Sequence, residues 1–336
     1  AEVAESGNAP DLKSGFPPGI RSSKNPFSLR EKSFTEKGLK ISSSALMKVA
    51  YSPRCLEHYS PHEPKERVVS IMSCLEAQGK GKIELVPPAE INEEDLLLVH
   101  SKKMIEDLKF RSATGLGLAE NPFDDRTFDL AKIACGCALR SAEIADEEGF
   151  SFAMTRPPGH HAGSDFYHGF CYMNNLAFAI RRNQKKRKAM VVDFDVHHGN
   201  GTQDIFQTDR SVFFFSMHQD PRTIFPFRTG FRDGNNDHIF NAPLAPESRD
   251  REVLEALKEG LEAGKKFGPD FIGVSAGFDM YAKDAISSVS IEDSKTYSLI
   301  GKEIRKMGVP VFSVLEGGYY LPDLGRNAWS FMSAFE

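Results

Sequence analysis

The sequence predicts an α/β protein built on a parallel sheet with helices on both faces. Two observations predict it. Short runs of β-branched and aromatic residues alternate with longer stretches of helical apolar spacing. The residues with chemical potential sit directly after the predicted strands, where open parallel sheets bind their ligands.

The elements follow in order. Residues 1–46 carry Gly-Asn-Ala-Pro, Gly-Phe-Pro-Pro-Gly and Ser42-Ser43-Ser44 without a sustained period, a composition that buries too little apolar surface to offset ordering entropy. They read as a flexible extension, since Glu2, Glu5, Asp11, Glu31 and Glu36 are too many acids for a transit peptide. Met47 opens a first strand, and 83–86 is strand-like. A helix is predicted over 128–147, where Leu130, Ile133, Ala134, Cys137, Ala138, Ala142 and Ile144 recur at helical spacing. A short strand over 152–155 precedes Arg-Pro-Pro-Gly, and 174–183 has a helical apolar face. Buried strands are predicted over 189–194, 212–217, 271–276 and 309–315, with amphipathic helices over 249–267 and 291–307. No internal repeat is visible, and 47–336 reads as one catalytic-sized domain.

Composition removes several function classes. The 42 Lys and Arg against 47 Asp and Glu leave a net charge of −5, too little positive charge for bulk electrostatic retention on nucleic acid. The run Arg181-Arg182-Asn-Gln-Lys185-Lys186-Arg187-Lys188 falls where a helix hands over to a strand, and a solvated helix C-terminus accounts for it. No apolar run approaches the roughly 18 residues of a membrane span. Cys55, Cys74, Cys135, Cys137 and Cys171 are odd in number and form no Cys-x-x-Cys pair, so they read as reduced thiols of an intracellular, most simply cytoplasmic, protein.

Four strand-end segments carry the chemistry. In Asp193-Phe-Asp195-Val-His197-His198-Gly-Asn200, a strand continued to its end would put Asp193, Asp195 and His197 on one face. Such a polar cluster is expensive as packing, and a divalent metal resolves the expense. Ser275-Ala276-Gly277-Phe278-Asp279 adds a carboxylate that, if not a helix cap, completes a three-ligand set with open positions. Arg156-Pro-Pro-Gly159-His160-His161 offers a proton-transfer pair, with Asp193 and Asn200 as candidate acceptors for the ring N–H groups. Glu316-Gly317-Gly318-Tyr319 puts a phenol at the mouth of the sheet, where it could donate to an oxyanion.

Together with HGFCYMNN, these segments resemble the histone deacetylase superfamily, the zinc amidohydrolases that also include acetylpolyamine amidohydrolases. The resemblance implies an arginase-like three-layer αβα fold with a parallel sheet of about eight strands. By motif it implies Asp195, His197 and Asp279 as zinc ligands, His161 as general base and acid, His160 as its electrostatic partner, and Tyr319 as oxyanion donor. His160 should bond Asp193, and His161 should face Asn200, where class I enzymes carry Asp; the Asn looks like the class II or bacterial and archaeal branch. Gly169, Phe170 and Phe225 match the positions of the family's aromatic slot, and Glu120 the position of an acid that grips the substrate. Ile286 stands where one polyamine-specific branch has a glutamate gate, and Arg67 matches an arginine of the family's internal channel. The rim near Phe227 and Arg228 departs from the family's usual Pro-Gly-Thr-Gly. Potassium would be held by backbone carbonyls near Asp193, Asp195, His197, Ser216 and Met217.

The implied activity is hydrolysis of an N-acetylated amine, either acetyl-lysine of a protein or a small molecule such as an acetylpolyamine. Ferrous iron also suits a two-Asp, one-His set. A two-manganese ureohydrolase would need bridging carboxylates that the chain lacks, and a silent acetyl-lysine reader would lack Tyr319. Oligomeric state and partner proteins have no signal in the sequence.

Overall fold

A computed structural model describes residues 46–118 and 120–336. The extension expected over 1–46 lies, apart from Leu46, outside the described residues. The strands are β1 (Met47–Ala50), β2 (Ile83–Val86), β3 (Phe150–Ala153), β4 (Ala189–Asp193), β5 (Val212–Gln219), β6 (Ile239–Leu244), β7 (Phe271–Ala276) and β8 (Val311–Leu315). The helices are α1 (Glu66–Gln78), α2 (Lys102–Thr114), α3 (Thr127–Glu148), α4 (Asn175–Gln184), α5 (Asn200–Phe206), α6 (Asp250–Phe267), α7 (Lys295–Arg305) and α8 (Leu321–Met332). No described helix is long and apolar enough to cross a membrane.

All strands pair in parallel in one eight-stranded sheet ordered β2-β1-β3-β8-β7-β4-β5-β6. The fold class is the expected three-layer one, and the alternation of side chains across the strands builds two cores. On β4, Met190 and Val192 join one hydrophobic cluster, while Ala189 and Val191 join the other. Buried residues of α1, α6, α7 and α8 fill the first, and those of α2, α3 and α4 the second. Because both faces are covered, β3, β4, β5, β7 and β8 are buried along their whole length and read as continuous apolar runs.

Several boundaries differ from expectation for local reasons. β3 begins and ends two residues early, because Thr155 leaves the ladder to bond the Leu315 carbonyl through its hydroxyl at 2.7 Å. β8 begins at Val311, after Pro310, which has no N–H to give the ladder. α7 begins at Lys295, because Ile291 is held in a bridge to Tyr281. The strand expected over 189–194 stops at Asp193, so Asp195 and His197 lie in a loop and not on a strand face. Three of the six basic residues in the run are paired: Arg181 with Asp209, Arg182 with Asp95 and Arg187 with Asp146.

The order places β3, β8, β7 and β4 side by side at the centre of the sheet. Being parallel, their carboxyl ends share one edge. The four chemical segments are the chains leaving these four strands.

Candidate active site

After β4 the chain curls. The Asp195 N–H donates to Asp193 Oδ1 at 3.1 Å, and the His197 N–H donates to Asp195 Oδ1 at 2.9 Å. The curl turns Asp195 and His197 toward Asp279 at the end of β7, so that one ligand atom from each lies within 4.8 Å of the others. It is the one such three-residue group among the described residues. Asp279 is no helix cap: its Oδ1 accepts the Val196 N–H at 2.9 Å. Its Oδ2 is buried without a hydrogen bond, 3.4 Å from His197 Nδ1.

This donor set fits a dication. Two buried carboxylates face each other, with one oxygen left unpartnered, an arrangement that is costly without a cation to share. Burial and the Asp195 charge accordingly raise the Asp279 pKa. Bare backbone makes the approach sterically feasible. A Cβ on Gly277 would stand 2.3 Å from Asp195 Oδ2, and one on Gly317 would stand 2.2 Å from Asp279 Oδ2.

The loop after β3 curves around the same point. Glu316, leaving β8, accepts the Gly159 and His160 N–H groups on Oε2 at 2.8 and 3.2 Å, and the Ser275 hydroxyl on Oε1 at 3.0 Å. One buried carboxylate thus ties three of the four segments together. It brings the His160 and His161 rings to 4.0 Å between centroids. His160 Nδ1 bonds Asp193 Oδ2 at 3.0 Å, and His161 Nδ1 bonds Asn200 Oδ1 at 2.7 Å.

Their environments separate the two histidines. Burial disfavours the His160 imidazolium, but Asp193 and Asp195 outweigh it and push its pKa up to about 10. His161 is held well below the usual imidazole range by burial and by the charges of His160 and His197. The two carboxylates thus favour the cationic form of His160 while burial favours the neutral form of His161, the pattern of an acid–base pair divided by environment.

Above this floor lies a cavity of about 290 Å³. Gly169, Phe170 and Phe225 wall it, with Tyr319 beside Phe170 at 6.3 Å and Phe225 edge-on to His161 at 4.9 Å. Glu120 and Ile286 also line it, and Ile286, 37% exposed, marks the solvent end. Every predicted metal, proton-transfer, oxyanion and slot residue is brought to this one place. Asp193 and Asn200 stand directly behind the histidines. Ser216 lies on β5 in register with Asp193, and Met217 follows it in the core. Phe227 is exposed at the rim, 6.4 Å from Phe225.

Arg67 is fully buried. It pairs with Glu63, donates from Nε to the Gly318 carbonyl at 2.7 Å and from Nη2 to the Glu316 carbonyl, and sits 4.9 Å over the Tyr319 ring. It is thus both a residue beside the site and a partner in a buried ion pair. The sequence reading missed Glu316 as the tie and Asp284, whose carboxylate accepts the Tyr319 N–H at 2.5 Å and the Ile286 N–H at 3.3 Å. It also gave no role to His168. Their only sequence signal was a polar residue inside or beside an apolar segment.

The comparisons agree with this geometry. Residues 61–335 match the histone deacetylase domain. A probable deacetylase of Methanothermobacter thermautotrophicus is 38% identical over 303 residues, which cover 86% of this chain and 91% of that protein. Acetylpolyamine amidohydrolase 1 of Pseudomonas aeruginosa is 38% identical over 193 residues, 55% of this chain and 56% of its own. The crystal structure of acetylpolyamine aminohydrolase from Burkholderia pseudomallei superposes with a TM-score of 0.79 at 26% identity, covering 86% of this chain and 98% of that one. The matched span takes in all four strand-end segments and both walls of the slot, and the chain belongs to the histone deacetylase family.

Proposed function

We propose that the chain is a zinc-dependent deacetylase that hydrolyses the amide of an N-acetylated amine, acetyl-lysine of proteins or a similar acetylated amine, to free amine and acetate. The observation that carries this reading is the unpartnered Asp279 Oδ2 grouped with Asp195 and His197, two residues that line the aromatic slot together with His161 and Tyr319. Asp195, His197 and Asp279 would hold one zinc ion, which when bound supplies Lewis-acid polarisation of the acetyl carbonyl and acidifies the attacking water.

The chain's own residues do the rest. Phe170 and Phe225 pack the aliphatic stem of the substrate and keep water from it, while Glu120 and Gly169 lie where its backbone or rim contacts would fall. His161, neutral and fixed through Nδ1, takes the proton of the attacking water on Nε2. Cationic His160 stabilises the negative charge that develops beside it. The Tyr319 hydroxyl donates to the oxyanion, and the histidine pair returns a proton to the leaving amine. Potassium is proposed at the backbone of Asp193, Asp195, His197, Ser216 and Met217, supported by the register of Asp193 with Ser216.

A second reading, hydrolysis of acetylpolyamines, is favoured by the names of several relatives and of a similar solved structure. Ile286 in the slot weighs against it, since an apolar side chain gives a cationic amine no partner. Turnover of acetyl-lysine peptides, acetylputrescine and acetylspermidine, with and without EDTA or a hydroxamate, tests both. Acetyl-lysine turnover abolished by EDTA is expected. Turnover of the polyamines alone would move the assignment to the second reading, and none on any of them would overturn both. Metal analysis of the active protein separates zinc from ferrous iron.

A further inference from the structure

His168 does not line the slot, yet it reaches the proton-transfer pair through one intermediate. It stacks on Phe166 at 5.2 Å with planes 10° apart and meets Phe225 edge-on at 5.0 Å. Its Nε2 lies 3.2 Å from Asn200 Nδ2, while Asn200 Oδ1 lies 2.7 Å from His161 Nδ1. Three side chains, two from the loop after β3 and one from the start of α5, therefore form one chain of contacts, His168–Asn200–His161.

The chemistry of the middle member makes the far end matter. A carboxylate at position 200 would present acceptor oxygens on both sides and needs no help to face an N–H. An amide has a donor end and an acceptor end, and the two orientations have opposite consequences. With Oδ1 toward His161, the His161 proton sits on Nδ1 and Nε2 keeps its lone pair for the slot. With the amide turned over, its NH2 would donate to Nδ1, and the proton would move to Nε2, where none could then be accepted. Asn200 is only 9% exposed, so water is a poor substitute for a fixed partner on the NH2 side. His168 Nε2 faces that NH2 and accepts from it when the His168 proton sits on Nδ1, an atom buried without a partner of its own.

We propose that His168 is a positioning residue: by accepting from the Asn200 amide it selects the amide orientation that leaves His161 Nε2 free to take a proton. The kinetic side of this inference rests on the reading of His161 as general base; the tautomer itself does not.

The test uses the zinc-loaded full chain with 15N-labelled histidine. It compares wild type, His168→Phe, His168→Gln, Asn200→Asp and the double variant His168→Phe/Asn200→Asp. Phe keeps a ring to stack on Phe166 but offers no acceptor, while Gln restores an acceptor oxygen at the depth of Nε2. His161, identified by loss of its signals in His161→Asn, should show the Nδ1–H tautomer in wild type and His168→Gln. In His168→Phe the Nε2–H tautomer should appear, with kcat on an acetyl-lysine peptide reduced about fivefold or more and KM within about twofold. In the Asn200→Asp background the same change should be silent, because the carboxylate needs no orienting partner. A folded His168→Phe protein with unchanged tautomer and kcat would overturn the proposal, as would an equal loss in both backgrounds. If melting shows that the Phe variant does not fold, His168→Met makes the same comparison. Should wild type turn over no acetylated amine while the tautomer still responds to His168, the deacetylase reading falls and the positioning role stands. Acetyl-lysine turnover with a tautomer blind to His168 is the reverse case.

Discussion

Tyr319 leaves β8 through a Gly-Gly turn in which Gly318 has a φ of 119°, a left-handed conformation that a side chain would resist. The turn is braced by Arg67 at the Gly318 carbonyl and by Asp284 at the Tyr319 N–H, so the phenol is held before any substrate arrives. Removing only the hydroxyl, Tyr319→Phe should cost about 10² to 10³ in kcat, the scale of one oxyanion donor, with KM little changed. Steady-state kinetics on an acetyl-lysine peptide checks it; full turnover would take Tyr319 out of the mechanism. Gly317 makes a different demand. A methyl group there would press on both the Asp279 and Asp195 carboxylates, at 2.2 and 2.5 Å, so Gly317→Ala should lose stoichiometric zinc while keeping its far-UV circular dichroism. Metal analysis after gel filtration reads this directly. That Tyr319 and the Asp195, His197 and Asp279 set fall together was legible in the sequence because each follows a buried strand in a motif of the family resemblance. Glu316 was not, because its partners Gly159 and His160 lie 157 and 156 residues away and no local pattern records them.

At the scale of elements, legibility follows burial. The central strands are covered on both faces and spell largely apolar runs, so their bounds were read to within about two residues. β6 is an edge strand carrying Asn241 and Pro243, and its pattern is diluted accordingly. α2 buries only Met104, Ile105, Leu108 and Ser112 of its thirteen residues, and α5 is seven residues long, too short to show a period. α1 and α8 pack chiefly on each other, through Gly325 against the Ser70 carbonyl, and that close contact depends on a partner rather than on either helix alone. α6, by contrast, was predicted because its apolar stripe is narrow and regular. Gly260 on that stripe is where the helix meets β5, and a Cβ there would stand 2.3 Å from the buried Phe215 ring. Helix propensity favours Gly260→Ala by roughly 1 kcal/mol. Overpacking a core costs about 1–3 kcal/mol, and a fully buried ring has little room to retreat, so net destabilisation is expected. Urea denaturation should show a lower midpoint, while turnover per folded molecule at low temperature stays unchanged, since α6 contributes nothing to the slot.

Across the whole molecule, the sheet order turns four distant segments into one site, because β3, β8, β7 and β4 are neighbours with a common carboxyl edge. The fold class was readable from strand–helix alternation, but the strand order was not, since adjacency is decided by packing between elements far apart in the chain. The same convergence buries many histidines, and that sets how the molecule responds to acid. His100 packs beneath the loop after β3. Its Nδ1 bonds the Gly163 carbonyl at 2.8 Å and its Nε2 accepts the Asn174 N–H at 3.0 Å, a pattern that only the neutral ring satisfies. Burial pushes its pKa down to about 4, and burial with the nearby Arg156 charge pushes His58 down to about 3. In the unfolded chain both would titrate near 6.5. Between that value and the folded one the unfolded state binds more protons, so stability rises with pH. The contribution is complete above about pH 7 and is lost as pH falls from about 6.5 toward 4, by about 1.4 kcal/mol per pH unit for each histidine. Replacing His100 by Asn keeps a donor and an acceptor without a titrating ring. The variant should start less stable at pH 7.5, because the shorter side chain packs less well, yet lose stability less steeply on acidification. Denaturation midpoints at several pH values between 7.5 and 4.5, taken as differences between wild type and His100→Asn, cancel any shared loss of metal. A difference that stays constant across that range would show that His100 takes up its proton as readily in the folded protein as in the unfolded chain, against the two hydrogen bonds that define its place.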